Sequence, residues 1–170
     1  GDNIYSLDID DSEILQNSIQ EIGSFDTLYF LYGFTVFNDE INDNVKFDNS
    51  HKLGLITLFK LLKVVQKQNT MPSIKHIKII TGNAFKIYNS DVINPFSAEI
   101  HGFIKSLSRE YPNINISCID VNFNNKEKWD KIVSTIIAKE PHTKGLDFAI
   151  RNNVSLIRKM VPSKIQSTNK

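Results

Sequence analysis

The segment from residue 75 to residue 120 limits the possible folds more than any other part of the chain. Lys75–Thr81 and Asn115–Val121 are apolar runs typical of buried strands, and Asn94–Glu110 between them has the spacing of an amphipathic helix. Its apolar residues recur at i, i+4, i+7, i+8 and i+11 and form one stripe: Phe96, Ile100, Phe103, Ile104 and Leu107. This order predicts a β-α-β crossover, the unit of a parallel α/β sheet.

The ends of this helix are marked in the sequence. Asn94 is a good N-cap residue and Pro95 suits the first helical position, because its fixed φ is helical and its missing N–H has no partner there anyway. Tyr111-Pro112 stops the helix.

The same alternation is predicted before this segment. Asn3–Leu7 is a short strand, and a helix follows that ends at Gly23. Thr27–Tyr32 is continuously apolar, which predicts an interior strand covered on both faces. Residues 33–49, rich in Asn and Asp, form a loop. The helix Asn49–Gln68 is apolar on more than one side, so its excess is covered either by neighbouring helices or by another domain or copy.

The pattern continues after residue 121. A further helix places five residues on one face: Trp129, Ile132, Val133, Ile136 and Ile137. Pro141 and Gly145 break the chain. Leu146–Arg151 and Val154–Arg158 then predict a hairpin, since the Asn152-Asn153 pair between them tolerates the positive φ that a two-residue turn needs.

Composition excludes several classes of protein. A chain of 170 residues favours one domain, and 20 Lys+Arg against 19 Asp+Glu give no field for nucleic acid. The most apolar run, Leu53–Val65, is too short to span a bilayer and carries lysines. The one cysteine, Cys118, sits within an apolar strand as a small buried hydrophobe. We expect a cytoplasmic protein, without membrane or nucleic-acid partners.

The acidic segment Asp8–Glu13 permits two interpretations. Three aspartates in four positions suggest a calcium loop, but Glu13 stands where such a loop needs its glycine. Alternatively, Asp10 or Asp11 caps the first helix, whose positive end also suits acidic residues. The residue pattern favours the cap.

Motifs for chemistry are missing from the sequence. No two of its seven glycines lie within nine residues of each other, so neither G-x-G-x-x-G nor a P-loop can be written. The histidines have no metal-ligand spacing, and each is expected to be a surface or capping residue: His51, His76, His101 and His142. No G-x-S-x-G elbow occurs, and Cys118 is a poor nucleophile if buried.

Three stretches resemble a known family, the ketoreductases of modular polyketide synthases. Residues Asn94–Pro112, followed by Asn115–Val121, are similar to the family's helix "P, two residues, A, then G-x-x-R/K-S-L-x-x-E-x-P" and the "I-D" strand after it. Thr27–Gly33 resembles its "V-H-L-W-S-L" strand, and Phe148–Val161 resembles its "V-A-Y-R-x-G-x-R-Y-V-x-R-L" hairpin. The resemblance covers roughly residues 2–162.

The resemblance implies a particular fold and role. Such ketoreductases are split into a truncated, cofactor-free Rossmann-like half and a catalytic half that binds NADPH and reduces β-ketoacyl chains on acyl carrier protein. The fold class is then α/β, a truncated Rossmann-like, short-chain-reductase-like parallel sheet flanked by helices, with a C-terminal β-hairpin. Residues 1–162 would form this structural subdomain, and 163–170 a polar tail or linker. Its partners would be the catalytic subdomain and neighbouring synthase domains, with acyl carrier protein contacted indirectly.

The resemblance also implies an inactive site. In the catalytic half, the corresponding helix carries a tyrosine acid and, four residues later, an asparagine or lysine; here those positions are Ser97 and His101. The preceding strand would end in a catalytic serine, where this one ends Thr81-Gly82. We therefore expect no catalytic, cofactor-binding or metal-binding residues. The chain is either an ordinary structural half or a truncated pseudo-ketoreductase; a divergent short-chain NAD(P)H reductase and a homodimeric interaction module are the alternatives.

Overall fold

The computed structural model describes residues 9–32, 51–122, 129–138, 147–159 and 161–162. The helices are α1 (Ser12–Ile22), α2 (Thr57–Lys67), α3 (Pro95–Glu110) and α4 (Trp129–Ala138). The strands are β1 (Thr27–Phe30), β2 (His76–Gly82), β3 (Asn115–Val121), β4 (Asp147–Arg151) and β5 (Val154–Ile157). The predicted strand 3–7, loop 33–49, break at 141–145 and tail 163–170 lie outside the described residues.

The described strands form one sheet in the order β1-β2-β3-β4-β5. The first four are parallel and β5 pairs antiparallel with β4. Thr81 of β2 lies opposite Asp120 of β3, and Cys118 lies opposite Asp147 of β4. Because side chains alternate between the faces of a strand, these four residues point to the same face of the sheet. The predicted α/β fold, a mostly parallel sheet with a C-terminal hairpin, is confirmed.

Among the described residues, helices cover the two faces of the sheet unequally. On the first face, α1, α2 and α3 share one buried cluster with alternate residues of β2 and β3, including Ile77, Ile79 and Ile116. On the second face, Ile132 and Ile136 of α4 pack with Ile80, Ile119, Val121 and Ile150. The strand order advances in one direction from β2 to β4, but α3 and α4 lie on opposite faces of the sheet. The β2-α3-β3 and β3-α4-β4 crossovers therefore have opposite hands.

The predicted ends of α3 are confirmed. The Asn94 side chain accepts hydrogen bonds from the backbone N–H groups of Phe96 and Ser97, at 3.1 and 3.4 Å. Pro95 occupies the first helical position, and the helix ends at Glu110, two residues before Pro112. Ile100, Ile104 and Leu107 of the apolar stripe are buried, which fixes which side of α3 faces the sheet: the side that also carries Ser97 and His101.

Among the described residues, the helix predicted at 49–68 runs without a break from residue 51 to residue 67. A π-helical segment, Lys52–Ile56, precedes α2. Leu58, Leu62 and Val65 are buried among α1, α3 and the sheet, so neighbouring helices cover most of the apolar excess. Leu53 and Phe59 remain exposed.

The prediction that 27–32 is covered on both faces is wrong for the described part of the chain. There, β1 is the outermost strand, and Tyr29, Leu31 and Tyr32 are 41%, 59% and 50% exposed. Continuous apolar character predicts contact on both faces of a strand, but the tertiary structure decides which element covers each face.

The predicted hairpin is confirmed. Asn152 and Asn153 connect β4 to β5 with φ values of 52° and 61°, the left-handed conformation that a two-residue turn of this kind needs at both positions. No helix among the described residues is long and apolar enough to cross a membrane.

Candidate functional site

A group of polar side chains is buried at the carboxyl end of the sheet and against α3. We call Thr81, His101, Asp120, Asp147 and Arg151 the buried polar cluster. Each of the five is at most 7% exposed, and Thr81, Asp120 and Arg151 are fully buried. Burying a polar group costs free energy unless the group is hydrogen-bonded, so the partners of each one define the site.

His101 connects α3 to three strands. Its Nε2 lies 3.0 Å from Thr81 Oγ1 of β2 and 3.3 Å from Cys118 Sγ of β3, and its Nδ1 lies 3.0 Å from Asp147 Oδ1 of β4. The ring of Phe85 packs edge-on against the imidazole, with 4.3 Å between the ring centroids. The prediction that His101 is a surface or capping residue is therefore wrong.

Asp147 is surrounded by positive groups. Besides His101, the carboxylate has Lys105 Nζ at 3.4 Å and Arg158 NH1 at 3.5 Å. Burial alone would raise the pKa of Asp147, but the hydrogen bond and charge of His101, with Lys105, hold that pKa below its ordinary value. This carboxyl group is therefore ionised at neutral pH.

Asp120 and Arg151 form a buried ion pair with 2.6 Å between Oδ2 and NH2. Asp120 also accepts hydrogen bonds from Thr81 Oγ1 at 3.1 Å and from the backbone N–H groups of Ala84 and Phe85 at 2.7 and 3.2 Å. Arg151 donates to the carbonyl oxygens of Asp120, Ile150 and Phe85. The carboxylate oxygens of Asp120 and the guanidinium N–H groups of Arg151 thus have their hydrogen-bond partners within the protein.

These contacts hold residues 83–94 across the end of the sheet. Asn83 donates its backbone N–H to Val121 O and accepts from Asn94 N, which brings both ends of the loop together. Within the loop, Asp91 Oδ2 accepts from Ile87 N and Tyr88 N and lies 3.4 Å from Arg151 Nε. Burial would raise the pKa of Asp91, but those amides and the Arg151 charge lower it, so Asp91 stays a carboxylate.

The two positions that the resemblance equates with the catalytic half's tyrosine and its asparagine or lysine lie within this buried region. Ser97 and His101 are one turn apart on the same side of α3 and are 1% and 3% exposed. Thr81, at the end of the preceding strand, contacts His101 directly. The resemblance singled out Thr81, Ser97 and His101. It did not predict Asp120, Asp147 or Arg151 as site residues. A charged residue within a run such as Asn115–Val121 was the available signal, because a buried charge requires a partner.

Cys118 is buried, as predicted, at 1% exposure. Burial, followed by the nearby Asp147 and Asp120 carboxylates, raises the pKa of its thiol well above the ordinary value. A thiol held in its protonated form is a poor nucleophile.

His51 and His76, the other histidines in the described part of the chain, have separate surroundings. His51 binds Glu99, with Nδ1 3.0 Å from each carboxylate oxygen, and the buried Nδ1 of His76 has no hydrogen-bond partner. His142 lies outside the described residues. In the part of the chain that the structure describes, no three His, Cys, Asp or Glu side chains are grouped so that they could hold a metal ion.

The acidic segment before α1 acts as a cap and as an anchor for α2. Asp11 accepts from the backbone N–H groups of Glu13 and Ile14 at 2.9 and 3.1 Å. Asp10 binds both Lys52 and Lys60, and these contacts, that of Lys52 foremost, lower its pKa to about 2. Asp8 lies outside the described residues. The cap interpretation is confirmed for Asp11.

Replacing Asp11 with alanine should lower the free energy of unfolding by about 1 kcal/mol, because two helix N–H groups lose their acceptor. Urea unfolding of Asp11→Ala beside Gln20→Ala, an exposed change within the same helix, measures this loss. Millimolar calcium should leave the melting temperature of the unsubstituted chain unchanged. A rise with calcium that Asp11→Ala abolishes would instead favour an ion loop.

Comparison with solved structures identifies the class of fold to which this chain belongs. The structure of an adenylation, ketoreductase and pseudo-Asub multidomain unit of a keto acid-selecting NRPS module is similar over 90% of this chain and 13% of its own, with a TM-score of 0.69 and 16% identity. The structure of 4-hydroxyisoleucine dehydrogenase with NADH and succinate is similar over 87% of this chain and 78% of its own, with a TM-score of 0.66 and 19% identity. The first ketoreductase of the tylosin PKS gives a TM-score of 0.53 and 18% identity over 85% of this chain and 28% of its own. The fold is that of the Rossmann-like short-chain reductases.

Sequence comparison identifies the family. The model of the family described as beta-ketoacyl synthase-like, N-terminal, matches residues 1–140, and the chain belongs to that family. Polyketide synthase PksN of Bacillus subtilis (strain 168) is 25% identical over 148 residues, which are 87% of this chain and 3% of that protein. The recognition of a ketoreductase-like subdomain associated with modular polyketide synthases is confirmed. The chain thus spans a small part of a related synthase.

Proposed function

We propose that this chain is a non-catalytic structural subdomain of a polyketide synthase ketoreductase. It braces a catalytic half that binds NADPH and reduces β-ketoacyl chains carried on acyl carrier protein. The observation that carries the proposal is the burial of Ser97 and His101 on the sheet-facing side of α3. Phe85 packs against His101, and the loop that carries Phe85 is held by the Asp120–Arg151 ion pair.

A ketone reductase needs an accessible acid that protonates the developing alkoxide. Ser97 occupies the position of the family's tyrosine, and an aliphatic hydroxyl is a far weaker acid than a phenol. Asp147 keeps a lowered pKa, and Thr81 and His101 already bind each other. None of these groups offers an exposed proton donor to a substrate carbonyl.

Two features that usually accompany a dinucleotide site, a reversal of the strand order and a glycine-rich turn, are not found in the described strands and in the sequence, respectively. In open α/β sheets, dinucleotides bind where the strand order reverses, with the phosphates at a glycine-rich turn. The described strands run in sequence from β1 to β4 without a reversal. The sequence contains no G-x-G-x-x-G, and residues 83–94 lie over the carboxyl ends of β2 and β3. These features support a role without NADPH in this chain.

Calorimetric titration of the isolated chain with NADPH tests the proposal. We expect no saturable heat, because the sequence has no glycine-rich phosphate motif and the order of the described strands does not reverse. A catalytic subdomain of the same synthase serves as the positive control in the same buffer. Saturable one-to-one binding to the isolated chain would overturn the proposal in favour of the divergent reductase.

A second experiment tests the bracing role. Deleting this chain from the parent synthase should lower the melting temperature of the reductase region and its soluble yield, because the catalytic half loses a packing partner. Unchanged stability and reductase activity after the deletion would contradict bracing.

A further inference from the structure

A pocket of about 420 Å³ lies between the loop of residues 83–94 and the β4–β5 hairpin. Its lining combines apolar and charged side chains from the loop and from the two strands: Phe85, Lys86, Ile87, Asp147, Leu156 and Arg158. Pockets of this size, with apolar walls and a few polar groups, are the usual form of small-molecule sites. The bracing role does not use this pocket, so its lining suggests a separate function.

The loop wall of the pocket is fixed on both sides of Lys86. Phe85 donates its backbone N–H to Asp120, and its carbonyl oxygen accepts a hydrogen bond from Arg151. Ile87 donates its backbone N–H to a carboxylate of the same loop. The wall is therefore formed before a ligand arrives, which lowers the ordering cost of binding.

The one carboxylate of the pocket is already neutralised. Asp147 has a side chain only 6% exposed, with His101 at 3.0 Å, Lys105 at 3.4 Å and Arg158 at 3.5 Å from its oxygens. Two of these three partners, Lys105 and Arg158, are half-exposed cations. The pocket therefore has an excess of positive charge at its mouth.

Two cations at the pocket have hydrogen-bond donors to offer. Among the described residues, the exposed ammonium of Lys86 has no side-chain partner, and the Arg158 side chain contacts the Asp147 carboxylate and the ring of Phe85. The Arg158 guanidinium carbon lies 5.4 Å from the centre of that ring, which holds the group beside the apolar wall. A guanidinium held in this way presents its remaining N–H groups to a ligand.

We propose that this pocket binds a small anion with an apolar body, either a carboxylate or a phosphate monoester. The anionic group would lie between Arg158 and Lys86, and the apolar body would pack on Phe85, Ile87 and Leu156. Arginine binds both kinds of anion through paired N–H···O bonds, so the chemistry that the two share is an oxyanion. A cationic ligand is disfavoured, because like charges would face it.

NMR titration of the 170-residue chain with phenyl phosphate and with benzoate tests the proposal. Saturable shifts of the backbone amides of Lys86, Ile87 and Leu156 are expected, with a Kd of about 1 mM. The tighter of the two probes identifies the preferred anion. Benzyl alcohol, which has the ring without the charge, should bind at least about tenfold more weakly. No saturable shift at these amides, or equal binding of the alcohol, would overturn the proposal.

Charge-removing variants test whether the pocket itself attracts the anion. Arg158→Gln should weaken binding of the tighter probe by about tenfold or more, and Lys86→Gln should weaken it in the same direction. Lys131→Gln removes the same charge from an exposed position of α4 outside the pocket and should leave the Kd unchanged. All three side chains are exposed, so the variants should keep the melting temperature of the unsubstituted chain. Equal weakening by all three would show attraction by net charge alone, and an unchanged Kd in Arg158→Gln would also reject the site.

Discussion

Replacing Asp120 with alanine should lower the free energy of unfolding by about 3–5 kcal/mol, because it leaves the Arg151 guanidinium buried without its counter-charge. Asp120 is fully buried 2.6 Å from Arg151 and also accepts the backbone N–H groups of Ala84 and Phe85. Each kcal/mol lowers the melting temperature of a chain this size by about 2–4 °C. Urea unfolding followed by circular dichroism gives the free energy directly.

The partner substitution provides the control for this prediction. Arg151→Met removes the positive charge but keeps an unbranched side chain, so the double variant Asp120→Ala/Arg151→Met should be less destabilised than the sum of the two single changes. Additive losses, or a cost for Asp120→Ala of no more than the ~1 kcal/mol typical of exposed pairs, would show that the ion pair does not hold the loop over the sheet.

Introducing a tyrosine at position 97, which the resemblance equates with the acid of the catalytic half, should destabilise the protein without creating a reductase. Ser97 is 1% exposed on the side of α3 that faces the sheet, and a phenol ring forced into a filled core costs about 1–3 kcal/mol or more. Thermal unfolding and NADPH oxidation with a β-ketoacyl thioester measure the two effects. Ser97→Ala, which adds no volume, should cost less than Ser97→Tyr.

A Ser97→Tyr variant that keeps its melting temperature and oxidises NADPH in the presence of the ketone would mean that position 97 opens to a substrate cavity. The proposed inactive site would then be wrong, and the chain would be a reductase that lacks only its acid.

Local chemistry made several parts of the fold predictable. Asn94, Pro95 and Pro112 fix the ends of α3 by capping and by missing N–H groups, and these act within a few residues. Asn152 and Asn153 fix the hairpin in the same way. The expectations that failed, for the edge strand and for His101, concern groups whose neighbours lie far away in sequence.

The buried polar cluster could not be found by pattern. The contacts of Asp120 with Arg151 and of His101 with Asp147 join residues 31 and 46 positions apart. A lone aspartate or arginine in a strand signals that a partner is required, but the register of β2, β3 and β4 decides which one it meets.

The sequence by itself determined the α/β class, the ends of α3 and the hairpin, because each depends on periodicity or on contacts within a few residues. The tertiary structure alone decided that β1 lies outermost among the described strands, that α4 packs on the second face and that Thr81, His101 and Asp147 meet. Those outcomes depend on strand order and register, which bring together residues that no local pattern relates.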